Sequence, residues 1–195
     1  MARIVSDVRN RGDEALSTWT ARLDGVEVEQ WEVDRLRWCE AYRALPSEIS
    51  EALDLAARRI RTFHEQQRFS SWTFCEGAGY SGQRVIPLER VGIYVPGGAV
   101  PLPSSLLMAA IPARVAGVEE IVVCTPPSRE TAEVAPIILA AAYVAGVDRL
   151  FRVGGAQAIA AMAFGTRSIP RVHKIVGAGG LFTTLAKREV FGYVG

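Results

Sequence analysis

Three glycine-rich turns hold the residues best suited to cradle an anionic ligand: Tyr94-Val-Pro-Gly-Gly98, Val153-Gly-Gly-Ala-Gln157 and Val176-Gly-Ala-Gly-Gly180. Each follows a short apolar run and precedes a helix-forming segment. Glycine lets backbone amides come close to a phosphate, and a helix N-terminus adds unpaired N–H groups and partial positive charge. In an open parallel sheet such turns gather at the strand C-termini, where ligands bind. Taken together, the three read as a nucleotide cradle. At any single turn a plainer reading competes, because a tight strand-to-helix connection needs glycine anyway. None of them has the G-x-G-x-x-G spacing. Gly177-Ala-Gly179-Gly180-Leu-Phe182 supplies the first two glycines and lacks the third.

The remaining reactive side chains form no constellation. His64 sits in a charged helical stretch beside Glu65, Gln66 and Gln67, and reads as a surface residue; His173 opens a strand after Arg171-Val172. Neither has the H-x-x-x-H or Cys/His spacing of a zinc site. Ser104 and Ser105 precede an apolar helix and read as N-caps, and G-x-S-x-G does not occur. Cys39, Cys75 and Cys124 are far apart, with no C-x-x-C pair. That spacing favours a reduced, cytoplasmic protein over a disulfide framework. Cys124 ends an apolar strand and reads as core.

Two regimes of sequence must position the turns. Residues 1–70 hold three of the four tryptophans and only two glycines, and read as helical. Ile4, Val5 and Val8 form an apolar stripe that Ala15, Leu16 and Trp19 continue after Gly12-Asp13, and Asp24-Gly25 is a turn signal. Val33, Leu36 and Arg37 open a further helix. A long helix starts after Pro46 with Ser47 or Ser50 as N-cap, and repeats Ile49, Leu53, Ala56, Ile60 and Phe63 at helical spacing. Residues 71–90 read as a hairpin or connector, with β-prone runs either side of Gly77-Ala-Gly79.

Residues 91–195 contain eight of the ten prolines and alternate short apolar strands with helices. Strands are expected at 91–95, 121–124, 150–153 and 174–176. Helices are expected at 103–116, 132–145, 156–164 and 181–191. The fold class that follows is α/β: a helical N-terminal region, then an incomplete Rossmann-like parallel sheet with flanking helices. A charge balance of 22 basic to 21 acidic residues gives a net +1, which offers nothing to nucleic acid or an anionic membrane. No stretch approaches the ~18 apolar residues of a spanning helix.

The segments DVRNRGDEAL (7–16), VGIYVPGG (91–98), IPARVAGVEEIVVCTPP (111–127), VGGAQAIAAMAFGT (153–166) and AKREVFGYVG (186–195) resemble successive blocks of histidinol dehydrogenase, in family order. The resemblance covers essentially the whole chain, as the N-terminal half of a family whose members are about twice as long. It implies a homodimeric oxidoreductase with one zinc per site. Such an enzyme oxidises L-histidinol to L-histidine through an aldehyde in two NAD-dependent steps. By resemblance, Tyr94 and Gln157 match two family NAD contacts. A third is an asparagine in a G-P-G-N turn, and here Gly180 stands in its place. A lost side-chain hydrogen bond costs roughly 0.5–1.5 kcal/mol, so weaker NAD binding follows. The zinc ligands, the general-base histidine and the histidinol contacts are expected in the other half. A fragment, split gene product or truncated copy of the enzyme is one reading. A dehydrogenase of another small alcohol, such as a sulfonated diol, is a second, and a non-catalytic nucleotide-binding or interaction module is a third.

Overall fold

In a computed structural model, residues 1–97 and 101–195 are described. Four helices come first: α1 (Ala2–Arg11), α2 (Asp13–Asp24), α3 (Arg35–Arg43) and α4 (Ser47–Glu65). Gly12, at φ 56°, breaks α1 from α2, so that Val5, Val8, Ala15, Leu16 and Trp19 all turn to one core. The Asp34 side chain caps α3 by accepting from the Leu36 N–H at 2.9 Å. Leu36 itself is exposed, and Trp38 carries the burial of this helix.

Two expectations for α4 change. Neither serine caps it: Pro46 stands at the N-cap and the Ser50 hydroxyl donates back to the Ser47 carbonyl. The buried stripe is also shorter than the periodicity, its core-packed residues being Leu53, Ala56, Ala57 and Ile60. Leu53 and Ala57 are buried, whereas Ile49 and Phe63 are exposed.

The hairpin forms as expected, β1 (Trp72–Glu76) pairing antiparallel with β2 (Gly79–Gln83), and every residue of both strands is exposed. A four-stranded, wholly parallel sheet follows, made of β3 (Arg90–Tyr94), β4 (Glu120–Thr125), β5 (Arg149–Arg152) and β6 (Lys174–Val176) in the order β5-β4-β3-β6. The helices between and after the strands are α5 (Pro103–Val115), α6 (Pro136–Ala145), α7 (Gly155–Phe164) and α8 (Leu181–Glu189).

Proline begins both α5, at 103 as expected, and α6, whose start moves from 132 to 136; there its missing N–H costs nothing. Ser104 and Ser105 therefore cap nothing, and residues 132–135 are a turn in which Ala132 takes φ 56°. Helix α8 stops at Glu189, leaving Phe191 exposed.

Alternation along the strands divides the core in two. Val91, Ile93, Val95, Ile121, Val123 and Leu150 face α3, α4, α5 and α6. Tyr94, Val122, Cys124, Phe151 and Val153 face α1, α2, α7 and α8. Both sheet edges are covered. Trp31 and Val33 bond β5 through Arg152 N–H to Trp31 O and Val33 N–H to Leu150 O, each at 2.9 Å. Gly195 lies along β6, accepting from Ile175 at 2.9 Å and donating to His173 at 3.0 Å.

Candidate functional site

The strand order creates a switch point. From β3 the chain steps outward to β4 and β5 with α5 and α6 on one face. It then returns through α7, on the opposite face, to place β6 on the other side of β3. Where connections leave a parallel sheet in opposite directions, a crevice opens outside the strand C-termini, and ligands bind there. The C-terminal residues flanking this one are Tyr94, at the end of β3, and Gly177, just past β6.

Tyr94 ties the three turns together. It is only 6% exposed. Its hydroxyl oxygen accepts from the N–H of Gly155, the first residue of α7, at 3.0 Å. Burial pushes the phenol's pKa up, against the hydrogen bonds from Gly155 and the Thr183 hydroxyl on α8, so the ring stays neutral. Its carbonyl presses on the third turn: a Cβ on Gly177 would lie 2.1 Å from the Tyr94 oxygen, and Gly177 holds φ 112°. Only glycine fits there.

Gln157 sits in the first turn of α7 and is fully buried. Its Nε2 donates to Asp24 Oδ2, at the end of α2, at 3.1 Å, while its Oε1 is buried with no partner among the described residues. That oxygen lies over the turn, since a Cβ on Gly155 would come within 2.7 Å of it. Burial raises the Asp24 pKa, opposed by the Arg129 guanidinium and by the Gln157 hydrogen bond. Arg129 is anchored alongside, donating to the Leu23 carbonyl at 3.2 Å.

Pro126, after β4, locks the remaining turns. Cβ atoms on Gly97 or Gly154 would lie 2.3 and 2.4 Å from its ring. Gly98 falls outside the described residues. Gly180 differs from its neighbours: it precedes α8 with φ −70°, and a Cβ there would meet nothing within 4 Å. Beneath the same turn the Lys187 ammonium donates to the Gly177 carbonyl at 2.6 Å, and burial lowers its pKa.

Tyr94, Gln157 and Gly180, singled out from sequence, thus lie at one edge of one sheet. Asp24, Thr183 and Lys187 were not singled out, because their partners are distant in sequence or hidden inside a helix. Asp24 carried only the signal of an Asp-Gly turn. The other reactive groups stay apart. His64 Nδ1 bonds Gln67 at 2.7 Å, and His173 Nδ1 accepts from the Arg90 N–H at 3.3 Å. Among the described residues no three His, Cys, Asp or Glu side chains are grouped to hold a metal.

This geometry can be set beside known proteins. The family model described as histidinol dehydrogenase matches residues 1–195, the whole chain. The chain belongs to the histidinol dehydrogenase family. It is 50% identical over 196 residues to the histidinol dehydrogenase of Pseudomonas putida, covering 98% of this chain and 44% of that protein. To the Thermus thermophilus histidinol dehydrogenase it is 50% identical over 192 residues, covering 98% of this chain and 45% of the relative. The crystal structure of histidinol dehydrogenase from Elizabethkingia anophelis superposes with a TM-score of 0.92 at 34% identity, over 98% of this chain and 44% of that one. The chain therefore spans a little under half the length of the relatives it matches, and the α/β fold expected from its periodicity is that of the family.

Proposed function

We propose that this chain is the NAD-binding half of a histidinol dehydrogenase, which oxidises L-histidinol to L-histidine through L-histidinal. The observation that carries the reading is the convergence of the three turns at the switch point around Tyr94. The residues suit a dinucleotide. The glycines let the turns pack closely enough to gather backbone amides suited to a pyrophosphate, Gly180 leaves open space beside them, and the orphaned Gln157 Oε1 is a buried acceptor in want of a donor. Tyr94, Gln157 and the backbone at Gly180 would hold NAD, which when bound accepts hydride from the alcohol. The neutral Tyr94 holds the first turn of α7 in place, and Lys187 props the Gly177 turn from below.

The residues do not fit the zinc expected of the family, since the described side chains offer no ligand group. The zinc ligands and the acid–base residues are therefore assigned to the part of the relatives' length that this chain does not span. A homodimer in the cytoplasm is the accompanying proposal. No described helix is long and apolar enough to cross a membrane. Calorimetric titration with NAD tests the reading: saturable heat is expected, and no heat at millimolar NAD overturns it.

A further inference from the structure

Gln157 has a carboxamide with a donor end and an acceptor end of nearly equal shape, so its own geometry does not decide which faces the ligand edge. A neighbour must decide it, and that neighbour is Asp24. An ionised carboxylate only accepts. It therefore takes the Nε2 end, at 3.1 Å, and turns Oε1 toward the first turn of α7. There the oxygen is buried without a partner, although leaving a buried acceptor unpaired is costly. The contact bridges the end of α2 and the start of α7, 133 residues apart in sequence. We infer that Asp24 is a positioning residue that fixes Gln157 as a hydrogen-bond acceptor at the α7 turn, so that the ligand group selected there is a donor, a ribose hydroxyl, rather than a phosphate oxygen.

The inference rests on the reading of this edge as an NAD platform, and it adds to that reading the polarity of one subsite. Gly155 N–H is already engaged by Tyr94 and Ala158 N–H by the Gly154 carbonyl, and the side-chain polarity left free at this point is the Gln157 oxygen. The charged and titratable groups facing Asp24 are the Arg129 guanidinium from the segment after β4 and the Tyr94 hydroxyl from β3, with the Gln157 amide from α7. Of these only Asp24 ionises between acid and neutral pH. The amide orientation should therefore follow that one carboxyl.

Two measurements on the intact chain test this. Nitrogen-15 NMR of the Gln157 side-chain amide, assigned with Q157L, is expected to titrate with Asp24, at a midpoint above the ordinary carboxylate range. The titration should vanish in D24N. A signal that ignores Asp24 ionisation overturns the inference whether or not NAD binds. In calorimetry, D24N is expected to bind NAD roughly tenfold more weakly, the loss of about one charge-assisted hydrogen bond. A NAD analogue stripped of its ribose hydroxyls should lose a similar factor on the unmodified chain and nothing further on D24N. Equal binding of NAD and the analogue by the unmodified chain overturns the donor assignment. Should D24N fail to fold, the pH profile of the unmodified chain decides: NAD affinity should fall as Asp24 protonates, and a flat profile overturns the inference. Absence of NAD binding by the unmodified chain instead sinks the proposed function, and leaves the amide titration to judge Asp24 by itself.

Discussion

At the scale of single residues, the candidate site mixes glycines that the backbone demands with one that it does not. Gly177 and Gly155 hold positive φ, and at Gly177 the Tyr94 backbone leaves no room for a Cβ. Gly180 has ordinary φ and open space around it. Restoring the family asparagine with G180N should therefore fold without strain and tighten NAD binding by roughly threefold to tenfold, one hydrogen bond's worth. Calorimetry reads this directly, and unchanged affinity would remove Gly180 from the ligand contacts. Asp24 makes a second case, in stability. Burial holds its pKa above the usual 3.8, so the folded state favours the protonated form. That contribution is complete in acid and is lost as pH rises through the raised value. D24N, permanently neutral, should melt no lower than the unmodified chain at neutral pH, and the difference should close in acid. A lower melting temperature at neutral pH would mean that the carboxylate is itself structural. The turn positions of Tyr94 and Gln157 were legible in the sequence. Their burial was not, because it depends on Asp24, Thr183 and Gly155, which sit elsewhere in the chain.

The elements repeat this division. Strands announced themselves through apolar runs between glycine and proline, and all four in the parallel sheet fell within a residue or so of their expected positions. Helix starts were less legible. Serine before an apolar run is an N-cap signal, yet Ser104 and Ser105 lie inside α5, whose N-cap is Leu102, and α6 begins only at Pro136 after Ala135. The periodicity of α4 also overstated its buried face, since helical spacing does not say how much of a helix its neighbours reach. The strand order could not be read at all, and with it went the switch point that joins Tyr94 to Gly177. That junction can be tested by alanine. At Gly146, φ is 71° and a Cβ would have open space, so G146A should cost about 1 kcal/mol for the left-handed conformation alone. Gly177→Ala adds a collision with the Tyr94 carbonyl to the same conformational penalty, and should cost about 3 kcal/mol or more in denaturant unfolding. Equal costs would mean that β3 and the Gly177 turn are not in close contact.

At the scale of the whole molecule, what stands out is how much apolar surface is left uncovered. The hairpin and its flanks expose Phe69, Trp72, Phe74, Tyr80, Ile86 and Leu88, with Trp72 and Phe74 stacked at 6.0 Å. A lone two-stranded hairpin is marginal in water, and apolar surface of this extent usually marks an interface. The relatives run to about twice this length, so additional polypeptide is available in the family to cover such a surface. Two outcomes follow for the 195-residue chain studied by itself. It should self-associate, and a monodisperse monomer in light scattering across micromolar concentrations would contradict this. It should also show no turnover of histidinol with NAD and zinc, because no described group of side chains can hold the metal. Turnover by the purified chain would place the catalytic apparatus within these residues. Adding the separately produced C-terminal half of the Pseudomonas putida enzyme gives the stronger test. If the exposed hairpin is where that half docks, the mixture should lose its self-association and gain activity together. Substituting Trp72 and Phe74 by serine should abolish both gains while leaving NAD binding at the C-terminal edge of the parallel sheet unchanged.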